Sequence, residues 1–389
     1  MTLRVVYISF VRLTDKTSRD WYVDYLIENG VEVEYWDIVK LVRADYEESA
    51  SKQTDYLRVL RSYSELEVRL NSPENRNTHY VILVSYAAFT IRFFRLMSKY
   101  KCEMSHIRWG AIPVRAHSII DQISRIVRSP VSTALNLIQR AIAFATRRFK
   151  LVKPFEVVFA AGDAMLNVNQ YSKKVVPINL SDYSQYLNSL RTPLILDLNE
   201  NYAVFLDADI PFHPDSDLLG WKKVDPFQYY FSLNRLFGWL EKKYNLKVII
   251  AAHPRADYRN RNPFNGRSIY SDVTPDLVKH SQFVISHSSM AQSYAVLNKK
   301  PLIFIYTDSM FVSYRDNGYL QEIFDTAEFL NSSIYNIDHI SENDLAVEMI
   351  DEDRYEEYKY KFLVSRSVEF RKTEEIFLSE IRKLKMESI

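Results

Sequence analysis

Apolar and polar positions along this chain alternate between two periods. Short runs rich in Val, Ile, Tyr and Phe, such as Leu3–Phe10, Val31–Ile38, Tyr80–Ser85, Glu156–Ala161 and Val175–Asn179, predict strands. Between them lie segments of helical period, at Ser18–Asn29, Tyr56–Leu70 and Thr90–Tyr100, with a long helical region over His117–Lys150. Ile107–Pro113 is short and strand-like. The polar stretch Leu187–Asn201, interrupted by Pro193, marks a boundary. The alternation then restarts with strands at Ala203–Leu206, Lys247–Ala252, Phe283–Ser286 and Leu302–Tyr306. Helices are expected at Pro226–Lys243, Thr274–His280 and Ser289–Asn298, and an Arg- and Asn-rich loop at Pro254–Arg267. Strands separated by helices of this length make βαβ units with a parallel sheet, so the fold class is α/β. Two domains are expected, 1–190 and 191–389, with a charged amphipathic helix over 354–385 that crosses back to the first.

Composition narrows the chemistry. Among 389 residues there are only seven glycines, and no two lie within ten positions of each other, which excludes a glycine-rich dinucleotide fingerprint and a Walker A loop. The single cysteine, Cys102, excludes an intrachain disulfide. There is no signal-peptide layout and no spanning apolar run, so a cytoplasmic protein, at most peripheral to the inner membrane, is expected.

The net charge of +1 conceals an asymmetry, because Asn75–Phe155 carries fourteen Lys/Arg against two acids, Glu103 and Asp121. Within it, Gln122–Phe155 has no acid, and Arg125, Arg128, Arg140, Arg147, Arg148, Lys150 and Lys153 alternate with Ile, Leu, Ala and Phe. A basic amphipathic stretch suits an anionic membrane surface or an anionic acceptor, placed here over 87–155, or else is the basic outer face of a core helix. With the whole chain near neutral and no recognition motif, nucleic acid is not an expected partner.

In open α/β sheets ligands bind beyond the carboxyl ends of the strands, and four strand ends carry reactive groups. After Ala203–Leu206 come Asp207, Asp209, His213 and Asp215; carboxylates there serve as base, nucleophile or metal ligand. After Lys247–Ala252 comes His253-Pro254-Arg255, in which proline holds the histidine extended and the Arg adds a cation for an anionic group. After Phe283–Ser286 come His287, Ser288 and Ser289, at a helix start suited to phosphate. After Glu156–Ala161 comes Gly162-Asp163 in the first domain. Thr274, Gly266 and Arg267 are placed to reach a nucleotide. Each of these residues also has an ordinary structural use as a cap or loop residue.

The ordered set of His253-Pro254 and Ser288-Ser289, with Val204–Pro214 and Lys300-Pro301-Leu302-Ile303, resembles bacterial transferases that use CMP-activated acidic sugars. The strongest likeness is to the retaining β-Kdo transferases of capsule and O-antigen synthesis, over residues 200–310. That resemblance implies the GT-B architecture, in which two Rossmann-like domains with parallel sheets face a central cleft. The first domain would bind a glycan or glycolipid acceptor and the second CMP. It implies that His253, Arg255, Ser288 and Ser289 hold the phosphate. Asp207 would be the nucleophile of a covalent sugar adduct, and Asp163 an acid/base across the cleft. No metal cofactor is implied; CMP is itself a good leaving group. The Asp/Glu-Asp/Glu-Gly motif of sialyltransferases is absent, since Asp207-Ala208-Asp209 lacks the glycine. Two other readings remain open: a metal-dependent transferase using Asp207 and Asp209 as a DxD motif, and a non-catalytic nucleotide-binding subunit of a polysaccharide assembly complex.

Overall fold

The computed structural model describes all residues except 1–2, 43–51, 110–111, 114–129, 167, 169–170, 193–197, 199–200, 214–215, 217–220, 315–317 and 388–389. Asp215, Arg125 and Arg128 therefore lie outside the described residues, as do the first part of the expected 117–150 helix and much of the 187–201 boundary. The chain forms two compact units. One comprises Met1–Trp109, Ala116–Ile178 and Ser367–Ile389; the other is built chiefly on Asn179–Arg366.

The first unit carries a seven-stranded sheet, all parallel, of strands β1 (Arg4–Ser9), β2 (Glu32–Asp37), β3 (Leu57–Val59), β4 (Thr78–Ile82), β5 (Glu103–Arg108), β6 (Phe155–Ala161) and β7 (Ser172–Ile178). Their order is β3-β2-β1-β4-β5-β6-β7. The central strands read as continuous apolar runs because helices cover both faces of a parallel sheet. Trp36, Tyr80, Phe93 and Phe94 fill one of these layers. Two expectations need correction. The segment from Tyr56 begins as β3 and becomes helical only at Tyr63–Leu70, where Ser62 caps the helix by accepting from the Glu65 N–H. The fifth strand starts at Glu103, four residues before the expected Ile107. Its polar residues disguised it: buried Ser105 is hydrogen-bonded to Nε2 of buried His79 at 2.9 Å, so these polar side chains pair with each other inside the sheet.

The second unit carries a six-stranded parallel sheet of β8 (Tyr202–Leu206), β9 (Lys247–Ala251), β10 (Ile269–Tyr270), β11 (Val284–Ser286), β12 (Leu302–Tyr306) and β13 (Ser333–Asn336). Its order is β10-β9-β8-β11-β12-β13. Phe205 of β8 packs on Phe237 of the helix Pro226–Tyr244, with ring centroids 5.1 Å apart. Asp225 caps that helix, Pro226 occupies its first turn, and Asn245 ends it in the left-handed conformation. Both sheets reverse direction about their first strand, the doubly wound order of a dinucleotide-binding fold. In the second, the switch point falls between β8 and β11.

The expected single helix over 354–385 is two helices, Glu352–Tyr358 and Thr373–Glu387. The first runs on as a π-helical turn, Lys359–Leu363, and the chain becomes extended at Val364: the Leu180 N–H donates to the Leu363 carbonyl at 2.8 Å, and the Ser365 N–H donates to Asn179 Oδ1 at 3.2 Å. The last helix belongs to the first unit, where Phe377 packs on Phe159 of β6 at 4.7 Å. Among the described residues no helix is long and apolar enough to cross a membrane.

Candidate active site at a topological switch point

The five residues of β8 are apolar and fully buried, so the strand's position is set by packing and its carboxyl end is where polar groups first emerge. The ladder to β9 continues one residue further, with the Asp207 N–H donating to the Ala251 carbonyl at 3.0 Å. Asp207 then turns the chain: its Oδ1 accepts the Asp209 N–H at 2.9 Å, and Asp209 takes a left-handed φ of 45°. Aspartate tolerates that region better than most residues because its carboxylate bonds locally.

Asp207 Oδ2 accepts two further donors, the Tyr258 hydroxyl at 2.7 Å and the His253 N–H at 3.4 Å. Its side chain is thus held by three donors from two loops, and the residue is only 4% exposed. Burial raises its pKa, against the pull of Tyr258 and the two backbone N–H groups. The expected nucleophile is therefore, in its observed contacts, the hub on which the loops after β8 and β9 are ordered. Asp209 is held more loosely. Arg261 approaches its Oδ1 at 3.3 Å while stacking on Phe212 at 3.9 Å. Burial, then the adjacent Asp207 charge, raises the Asp209 pKa to about 6. Two adjacent buried carboxylates whose proton affinities are raised are equipment for acid/base or nucleophilic chemistry.

His253 leaves β9 as expected, and its ring direction is set locally: Nδ1 accepts the Arg255 N–H at 3.3 Å. In the neutral ring this places the proton on Nε2, the donor suited to a phosphate oxygen. The His213 ring lies 5.0 Å from it, so imidazoles from the loops after β8 and β9 meet. Arg255 is exposed at the rim, where the loop from Arg255 to Ser271 lines a cavity of ≈ 820 Å³.

The third strand end departs from expectation. The helix begins at Gln292, not Ser289, and has only six residues, all buried. Gln292 Oε1 accepts the Ser289 N–H at 3.4 Å, and the Tyr319 hydroxyl lies against both the N–H (3.4 Å) and the carbonyl (3.0 Å) of Ser288. The backbone N–H groups expected to receive phosphate thus already have partners within the chain. His287 is fully buried. Its Nδ1 donates to the Ile305 carbonyl at 2.7 Å and its Nε2 accepts the Tyr229 hydroxyl at 2.8 Å. Burial lowers its pKa to about 4, so it is a neutral brace between β11, β12 and the Pro226–Tyr244 helix, not a nucleotide ligand. Ser286, at the switch point, has a buried hydroxyl with no hydrogen-bond partner.

Arg267 is likewise committed. It donates to Glu241 at 2.9 and 2.6 Å, to Asn234 Oδ1 at 2.9 Å and to the Phe264 carbonyl at 3.1 Å. Gly266 allows the turn that aims it, with φ +78°. Arg267→Ala is therefore expected to destabilise the second unit by about 2 kcal/mol through unpaired Glu241 and Asn234. Denaturant melting checks this, and the nucleotide-induced shift described below should persist. Thr274 opens the helix after the edge strand β10, two strands away from β8. Asp163 lies in the first unit, opening a four-residue helix after β6 and Gly162.

The residues missed by sequence reasoning are Tyr258, Arg261, Tyr229, Tyr319 and Glu322. Glu322 meets the Ser288 hydroxyl, and burial raises its pKa. The one available signal was the density of Arg and Tyr directly after His253-Pro254. Among the described residues, no group of three or more His, Cys, Asp or Glu is placed to hold a metal ion.

No family model and no curated protein sequence matches the chain. Solved structures do. The wall teichoic acid polymerase TagF is similar with a TM-score of 0.51 at 12% identity, over 100% of this chain and 90% of that one. A histidine-to-alanine variant of TagF gives 0.52 at 13% identity, over 99% and 90%. At such identity the likeness is one of fold: two Rossmann-like units of the GT-B type, each with its parallel sheet.

Proposed function

We propose that the chain is a glycosyltransferase that moves an acidic sugar, Kdo or a related nonulosonate, from a CMP donor to a bacterial surface glycan. The observation that carries this reading is the position of Asp207 and Asp209 at the carboxyl end of β8, which borders the switch point of a doubly wound sheet, with His253 at the carboxyl end of the adjacent β9. The resemblance over residues 200–310 supplies the donor class, and the fold shared with a wall polymer polymerase supports the acceptor class. In this reading His253 Nε2, Arg255, Arg261 and the Ser289 hydroxyl receive the CMP phosphate, the Ser288 hydroxyl being given to Glu322. Cations and fixed donors aimed at the departing phosphate stabilise charge as it develops. Asp209 is the reacting carboxylate: it attacks the anomeric carbon as CMP leaves, and the acceptor hydroxyl displaces it in a second step. Two displacements retain configuration. Asp207 keeps the site in register, and Asp163 keeps the acid/base role that the resemblance implies, taking the proton of the acceptor hydroxyl.

The geometry favours a DxD metal site less, because three donors, Tyr258, His253 and the Asp209 N–H, already occupy most of the acceptor positions of Asp207. The test is a thermal-shift comparison of CMP, UDP, GDP and ADP. CMP alone is expected to stabilise the chain, by about 3 kcal/mol at a hundredfold excess over its Kd. A preference for UDP or GDP overturns the donor assignment, and activity abolished by EDTA overturns the metal-free mechanism.

A further inference from the structure

The basic stretch is not absorbed by the sugar-transfer site. Its helix, Pro130–Arg148, leads into β6 through Phe149–Pro154. A surface helix ordinarily turns its apolar side chains to the core. Here Leu137, Ile138, Ile142, Phe144, Phe149 and Leu151 are all exposed, Phe144 and Phe149 by 70% each. At 3.6 residues per turn the helical ones share one continuous arc. Thr146 is the side chain that anchors the helix inward, through a hydrogen bond with the Tyr86 hydroxyl.

Beside Phe144 opens a cavity of ≈ 1000 Å³ whose lining includes Lys101, Arg147, Arg148, Lys150 and Lys153. Lys153 pairs with Glu156 at 2.9 Å, and Glu156 also takes Lys173 at 2.6 Å. Among the described residues, the other four cations have no carboxylate partner. Arg147 is the most telling. Its guanidinium is sandwiched over Tyr86 at 4.0 Å and Tyr171 at 5.3 Å, and its Nε is buried with no hydrogen-bond acceptor. A buried, unpaired donor on a cation is costly unless an anion completes it. The cavity sits where chain enters β5 and β6, the amino ends of those strands, opposite the edge at which α/β sheets bind their substrates.

We propose that this edge of the first unit docks on an anionic lipid bilayer, with Phe144, Phe149 and Leu151 entering the interface and Lys101, Arg147, Arg148 and Lys150 seating one phospholipid phosphate. Protruding apolar side chains interleaved with cations are what a bilayer surface rewards; a soluble anion would need the cations alone. The acid-free run Gln122–Phe155 removes the repulsion that an anionic surface would otherwise meet.

Flotation of the full chain with vesicles of phosphatidylcholine alone, or mixed with phosphatidylglycerol, tests this. Binding is expected only to the mixed vesicles, and is expected to fall as salt is raised. Lys101→Gln, Arg148→Gln and Lys150→Gln together should weaken it on the order of a hundredfold, since each cation near the surface contributes about 1 kcal/mol. The charge-conserving pair Arg148→Lys and Lys150→Arg should float normally. Phe144→Ser with Phe149→Ser, at exposed positions that do not carry the fold, should weaken binding at least tenfold with an unchanged melting temperature. Equal binding to both vesicle types, no flotation, or undiminished flotation of the double Phe variant overturns the proposal. Stabilisation by soluble glycerol phosphate without flotation also overturns it, in favour of a free anion. The CMP shift is expected to be the same in all these variants, so the two assignments fail separately.

Discussion

Asp209→Asn is expected to lower sugar transfer by on the order of a thousandfold while making the fold more stable at pH 8. The first half follows from removing the proposed reacting carboxylate. The second follows from linkage. Burial and the neighbouring Asp207 raise the Asp209 pKa from 3.8 to about 6, so the folded chain holds this proton more tightly than the unfolded chain does. Folding is therefore favoured by this group below about pH 4, and that contribution is lost as pH rises through 6. At pH 8 the ionised, buried carboxylate costs about 2–3 kcal/mol, taking 1.36 kcal/mol per pKa unit. The amide carries no such cost and can still accept from Arg261. Denaturant midpoints should show the variant ahead at pH 8 and level with the parent near pH 4. Mass spectrometry of a quenched turnover should find the sugar adduct on the peptide spanning residues 207–209 in the parent and none in the variant. A variant that keeps full transfer removes Asp209 from the mechanism, and one no more stable than the parent at pH 8 removes the buried charge from the account. Loss of activity with gain of stability is the signature of a residue kept for chemistry at the expense of the fold.

The opposite pairing is expected for Asp207→Ala. Three donors, the Asp209 N–H, the His253 N–H and the Tyr258 hydroxyl, converge on this side chain and would lose their acceptor in a buried site. Relief of the desolvated charge offsets part of that, leaving a net loss of about 3 kcal/mol. Because the His253 N–H is one of the three, the CMP-induced thermal shift should disappear together with activity. Asp207→Asn is expected to lie between: its one oxygen serves part of the set, while its NH2 faces an N–H. A double-mutant cycle with Tyr258→Phe, read by denaturant melting, isolates the contact and should return a coupling of about 1–2 kcal/mol. If Asp207→Ala leaves both melting and the CMP shift unchanged, Asp207 does not organise the site.

Much of the second sheet was legible because parallel strands buried on both faces are written as unbroken apolar runs. Val204-Phe205-Leu206, Val248-Ile249-Ile250 and Leu302–Tyr306 are all strands where expected. β10, with two residues, and β13, whose residues are only half buried, leave no such run. The strand ends after β8, β9 and β11 were legible for the same reason, since a polar residue directly after a buried run must lie at the sheet's edge. What those residues do there was not. His287 and Arg267 looked like ligands by type and position, yet one is consumed by Tyr229 and Ile305 and the other by Glu241 and Asn234. Their partners lie from 18 to 58 positions away, beyond any local pattern.

The alternation of the main strands and helices, the α/β class, the glycine scarcity that rules out a glycine-loop phosphate cradle, and the acid-free basic run follow from the sequence alone. They depend on composition and on periods of two and 3.6 residues, which are local. The tertiary structure decided the rest: that Asp207 is a hub and Asp209 its less committed neighbour, that the Ser288-Ser289 turn spends its N–H groups internally, and that Leu137, Ile138, Ile142 and Phe144 face outward. Each of these is a question of which distant group satisfies a donor, an acceptor or an apolar surface, and only a folded sheet with its switch point between β8 and β11 brings those groups together.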